Sequence, residues 1–97
     1  MILNYSVLHM STELYSEQLE LQYNAKAKEY AALWDVKDEH VIRIIASVMM
    51  HRDDVLPGGG FVESVVNNNL SQAINKADAT CYQHLKVIVA ANNNCYI

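Results

Sequence analysis

Between Thr12 and Trp34 the chain contains neither glycine nor proline, and this uninterrupted stretch most constrains what it can fold into. Leu, Glu, Gln, Lys and Ala dominate it, and these side chains keep most of their rotamer freedom in a helix. Leu14, Leu21 and Ala25 share one helical stripe, while Leu19, Tyr23, Ala27, Tyr30 and Trp34 form a second beside it. The spacing predicts a long helix whose broad apolar face needs neighbours on two sides. Glu20, Lys26, Lys28 and Glu29 lie mostly outside the stripes and read as its solvated face.

The flanking segments extend the same pattern. In 1–10, Leu3, Tyr5 and Val7 alternate with Asn4 and Ser6, which suits a short strand or an extended arm. Ser11 and Thr12 then offer N-cap hydroxyls, with Glu13 in the first turn. Asp35 and Asp38 are alternative caps for a second helix running through Met50, with Val41, Ile42, Ile44, Ile45, Val48 and Met49 at helical spacing. Its β-branched content leaves a strand open. Pro57 closes that segment, because it disfavours helical geometry in the residue before it. Gly58, Gly59 and Gly60 precede a short helix with Phe61, Val62, Val65 and Val66, which stops at Asn67, Asn68 and Asn69. Leu70, Ala73, Ile74 and Ala77 form another, and Asp78 caps a last one from Cys81 to Ala90. The expectation is a single all-α domain over 1–97, a small helical bundle with two longer N-terminal helices and two or three short C-terminal ones. Its core would hold Leu14, Leu21, Trp34, Val41, Ile45, Val48, Phe61, Val65, Leu70, Ile74, Leu85 and Ile88.

Composition narrows the partners. Hydrophobic residues make up 52% of the 97 residues and charged ones 19%, more apolar surface than a small monomer hides, so a homo-oligomer is expected. A formal charge of −4 with scattered basic residues argues against direct nucleic-acid binding, which needs clustered Lys and Arg. No positive n-region with an apolar run opens the chain and no membrane-length apolar segment occurs, which leads to an expected cytoplasmic location without membrane contact. Cys81 and Cys95 are too few for a disulfide scaffold and read as free thiols.

From Pro57 to Leu70 the chain reads Pro-Gly-Gly-Gly-Phe-Val-Glu-Ser-Val-Val-Asn-Asn-Asn-Leu, followed by Ala77-Asp78. This pattern resembles that of a group of small phage and prophage proteins, which combine a Gly-Gly-Phe helix start, an Asn-Asp-Leu or Asn-Asn-Leu joint and an Ala-Asp before the final helix. The chain departs from it at Asn69, where Asp is common, and in the tail Asn92-Asn93-Asn94-Cys95-Tyr96-Ile97. The resemblance covers about the last two-fifths of the chain. It implies a small accessory phage protein, located in the host cytoplasm, of the kind that often disarms bacterial defence.

The residues that carry chemistry cluster near the same glycines. Gly58, Gly59 and Gly60 before Phe61 let backbone amides approach an anion, although neither a trailing Lys-Ser/Thr nor a preceding strand makes this a nucleotide-binding motif. The alternative is a turn that only starts a helix. His51 and Arg52 could reach the same mouth, Arg52 as a bidentate phosphate fork, or simply end the second helix, where cations suit the dipole. Asn68 and Asn69 carry amides that can donate and accept to a base edge or a ribose, or merely join two helices. Tyr82 offers a stacking face if it is not core. Asp53 and Asp54 lack a distal His-Asp set, so no metal is expected. Cys81 and His84 at i, i+3 could pair thiol and base, but a helical Cys usually packs in the core. His9 and His40 stand alone.

The expected ligand set is therefore His51, Arg52, Gly58, Gly59, Gly60, Phe61, Asn68, Asn69 and Tyr82, with no catalytic residue and no cofactor. The favoured function is an anti-defence protein that sequesters a nucleotide-derived immune signal, of the cyclic nucleotide or cyclic ADP-ribose type, without catalysis. The alternative is a protein-protein inhibitor of a host defence complex, of the anti-CRISPR kind, whose acidic face of Glu13, Glu17, Glu20 and Glu29 occludes a nucleic-acid site. A structural or regulatory phage component is a third reading.

Overall fold

The computed structural model describes residues 5–93, with side chains from residue 17 onward. Among these residues there are six helices and no strand: α1 Tyr5–Leu33, α2 Glu39–Arg52, α3 Gly60–Val66, α4 Leu70–Lys76, α5 Ala79–Gln83 and α6 Leu85–Asn93. The all-α bundle is as expected, with two corrections. Residues 5–10 are helical, not an extended arm, and Ser11 and Thr12 lie inside α1. Once a helix is nucleated each further residue adds a hydrogen bond at little cost, and nothing from Tyr5 to Thr12 breaks it. Residues 1–4 of the expected arm lie outside the described residues. The last helix is also interrupted at His84, whose φ of −110° separates α5 from α6.

α2 is the centre. It packs against α1, α3, α5 and α6, and Val41, Ile42, Ile45, Ala46, Val48, Met49 and Met50 are all buried. Among the described side chains, the second α1 stripe joins the core through Ala27 and Tyr30, with Tyr23 packed against it and Ala31 beside them. The two alanines let the helix axes come close. Of the first stripe, Leu21 is 70% exposed and Ala25 is exposed. Of the expected core, Val41, Ile45, Val48, Val65 and Ile88 are buried, whereas Trp34, Leu70 and Ile74 are exposed. Phe61 and Leu85 are half-buried, and the Leu14 side chain lies outside the described residues. In α4 the buried residue is Ala73, because a seven-residue helix lying close to α3 has room for a methyl there and turns Leu70 and Ile74 outward.

Three helices end through residues in the left-handed region: Asp35 (φ 57°), Asp54 (φ 59°) and Asn68 (φ 58°). After each, an amide reaches back five residues: Val36 N to Ala31 O at 2.9 Å, Val55 N to Met50 O at 2.8 Å, and Asn69 N to Ser64 O at 2.9 Å. These bonds satisfy carbonyls that the helix end leaves free. Asp35 therefore terminates α1, and Asp38 caps α2 by accepting from His40 N and Val41 N. No helix among the described residues is long and apolar enough to cross a membrane.

Tyr30 joins the first helix to the last. Its ring is 2% exposed, and its hydroxyl donates to the Val87 carbonyl at 2.8 Å. On the same side of α1, Tyr30 is buried, Tyr23 is half-buried and Trp34 is 39% exposed. Tyr30→Phe should destabilise the fold by about 1 kcal/mol, the net worth of one buried hydrogen bond. Urea unfolding checks this through a lowered midpoint at unchanged slope.

Candidate functional site

The glycine turn is built by α2 and the α3–α4 hairpin. Gly58 N donates to His51 Nδ1 at 2.9 Å, so the ring proton of the neutral imidazole sits on Nε2. A Cβ on Gly58 would lie 2.4 Å from Val62 Cγ1, which makes glycine a packing requirement there. Gly59 is different. It is the N-cap of α3 with φ −76° and no side-chain cap bond, and a Cβ there would meet nothing within 4 Å. Neither strain nor crowding demands glycine at that position. A Cβ on Gly60 would meet Lys76 Nζ at 3.3 Å, and Ser64 Oγ donates to the Gly60 carbonyl at 2.8 Å.

Lys76 reaches this place because α3 and α4 have seven residues each and pack against one another, so the end of α4 returns beside the start of α3. The ammonium adds positive charge beside the amides of the turn. This is the residue that sequence reasoning passed over. The signal was present in two apolar segments of equal length joined by three asparagines.

The expected ligand residues do not all meet. His51 and the three glycines do. Arg52 is engaged elsewhere: its Nε and Nη2 hold Asp53 Oδ1 at 3.2 and 3.1 Å, and its Nη1 donates to the Asn92 carbonyl at 3.3 Å. Asn92 Nδ2 in turn donates to Val65 O at 3.3 Å, at the opposite end of α3 from the glycines. Asn68 and Asn69 also lie at that end, roughly 10 Å along the helix by its rise per residue. They border a shallow cavity of about 150 Å³ with Ser64, Val65, Leu70, Ala73 and Val89. Asn69 Oδ1 is committed to capping α4, accepting from Gln72 N. Phe61 packs against the core. Tyr82 is 59% exposed on α5.

A second cluster forms where two helix starts abut. Asp78 caps α5, its Oδ1 accepting from Cys81 N at 2.7 Å, while its Oδ2 lies 2.8 Å from His40 Nε2. Cys81 Sγ is 3.8 Å from the same nitrogen. The Cys81 amide bond and the His40 contact hold the Asp78 carboxyl below its ordinary range. Burial, then the Asp78 carboxylate, pushes the Cys81 thiol up to about 12. A thiol that stays protonated is a poor nucleophile. Asp78 and Cys81 also compete for one imidazole nitrogen, whereas a relay through histidine needs one partner on each. The expected neighbour His84 is turned away, its Nδ1 2.9 Å from the Thr80 carbonyl.

The first two glycines of the run separate packing from binding. Gly58→Ala should destabilise by about 1–3 kcal/mol, because Val62 must move. Gly59→Ala, which meets no clash, should cost less than Gly58→Ala, because the preference for glycine over alanine at an N-cap is partly offset by the stiffer unfolded chain. Equal effects in chemical denaturation would refute this division of roles. No protein-family model matches the chain, and neither do any curated protein or solved structure.

Proposed function

We propose that this chain is a phage anti-defence protein that sequesters, without turnover, a small anionic nucleotide-like molecule of the cyclic nucleotide or cyclic ADP-ribose type. The observation that carries this reading is the approach of Lys76 to an open, uncapped Gly59–Gly60 backbone for which packing gives Gly59 no reason. With seven residues, α3 is too short for its dipole to hold an anion, so the charge must come from Lys76. Ser64 follows Gly60 by one turn of α3 and is buried, and Asn68 lies beyond the end of that helix with φ 58°. A ligand at the start of α3 would meet the backbone of the turn and the Lys76 ammonium. The resemblance to small phage proteins supplies the anti-defence context.

Self-association belongs to the same proposal. The cavity beside Asn68 measures about 150 Å³, below the roughly 300–1,000 Å³ of a small-molecule pocket. A second copy would supply the missing wall. Leu21 at 70% and Leu33 at 80% exposure leave apolar surface to hold it.

The competing reading, a protein-protein inhibitor, is favoured by one observation: Glu17, Glu20 and Glu29 are all exposed on α1, free to face a basic groove.

Isothermal titration with cyclic dinucleotides and cyclic ADP-ribose isomers tests the proposal, beside light scattering for an assembly above the 11.0 kDa chain. Lys76→Ala should weaken binding by about 1.5–3 kcal/mol, the worth of a hydrogen bond to a charged group. Gly59→Val should abolish binding without unfolding the chain, and Arg52→Ala should leave affinity unchanged. If none of these ligands binds the parent protein, sequestration is wrong. Capture of a defence complex that is lost on charge reversal at Glu17 and Glu20 would then establish the competing reading.

A further inference from the structure

We propose that His40, Asp78 and Cys81 form a site for a zinc-class divalent metal ion, bound by the imidazole Nε2, one carboxylate oxygen and the thiolate, with a fourth position open to solvent. The three donor atoms all lie within 4.8 Å of one another, although His40 is 38 residues from Asp78 and 41 from Cys81. The site uses other residues than the glycine turn and stands or falls independently of it.

Local structure prepares the ligands. Asp38 fixes the first turn of α2 by accepting from His40 N at 2.8 Å, and Asp78 fixes the first turn of α5 through Oδ1. Capping occupies only that oxygen, and Oδ2 faces His40. In a tetrahedral zinc site with bond lengths of about 2.0–2.3 Å, neighbouring donors sit roughly 3.3–3.8 Å apart. The His40–Cys81 separation of 3.8 Å is close to that. The His40–Asp78 contact of 2.8 Å must open by about half an ångström, which side chains exposed by 41% and 57% can accommodate. Cys81 is buried, so the cluster has a closed sulfur side and a wet side where water completes the coordination.

Without an ion, protons hold the cluster together: the Asp78 carboxylate faces the imidazole and the thiol. A divalent ion takes over both contacts. Bonds form to Nε2, Oδ2 and Sγ, the thiol proton leaves to solvent, and the imidazole proton resides on Nδ1. One carboxylate and one thiolate then match the two positive charges of the ion. Nitrogen and sulfur donors select against calcium and magnesium, which take oxygen.

Cobalt(II) titration of the full-length chain carrying Cys95→Ser, which leaves Cys81 as its only thiol, tests the site. One equivalent should bring up a thiolate-to-cobalt charge-transfer band and tetrahedral ligand-field bands, and one equivalent of zinc should bleach them. Cys81→Ser should abolish the charge-transfer band. Asp78→Asn, which keeps the helix cap, and His40→Phe should each weaken cobalt binding at least about tenfold. As a second readout, zinc should slow alkylation of Cys81 by iodoacetamide, but not in the Asp78→Asn chain. Lack of the charge-transfer band in a helical Cys95→Ser protein would overturn the proposal. So would its persistence in Cys81→Ser, or unchanged affinity in Asp78→Asn.

Discussion

The burial of α2 is the constraint on which the other elements depend. Val41, Ile45, Val48 and Met49 are fully enclosed, and each such side chain contributes about 1.5–3 kcal/mol on leaving water. A helix apolar over so much of its circumference cannot be covered by one neighbour. It draws α1 to one side and α3, α5 and α6 to the others. The short helices would not persist alone, since isolated helices below roughly 12–15 residues are marginal in water. Their stability comes from the surface that α2 offers them.

The ends of the helices convert that packing into positioned chemistry. Asp38 and Asp78 start α2 and α5, and because those starts abut, His40 in one first turn meets Asp78 and Cys81 in the other. In the same way the turn after α3 sends α4 back, bringing Lys76 to Gly60. Both candidate sites arise where capped or turned backbone brings distant residues together. Neither lies on one continuous motif.

The glycines and the left-handed positions show how local rules mislead. The left-handed positions among the described residues are Asp35, Asp54 and Asn68, and none of the three glycines has a positive φ. Asp and Asn tolerate that region better than other side chains, and the five-residue back-bonds from Val36, Val55 and Asn69 hold them there. The glycine run serves another purpose: Gly58 admits Val62, Gly60 admits the Lys76 side chain, and Gly59 starts α3 as its N-cap with open space around it.

The sequence by itself determined the all-α class, the second helix with its Val41, Ile45 and Val48 core, the cap at Asp78, and the narrowing of the α2 and α4 starts to Asp35 or Asp38 and to the three asparagines. These follow from periodicity and capping, which act within a few residues. It also pointed to the glycine turn and to His51. Tertiary structure alone decided which α1 stripe faces inward, because Leu21 and Tyr30 are both apolar in a pattern and only the fit of Ala27 and Ala31 against α2 separates them. It sent Arg52 to Asp53 and Asn92 instead of to the glycines, since successive residues on a helix point about 100° apart and His51 already held the turn. It brought His40 to Cys81 as well, where spacing along the chain suggested His84. A contact between residues 41 positions apart depends on how two helix starts pack, and that is set by side-chain volumes across the core, not by neighbours in sequence.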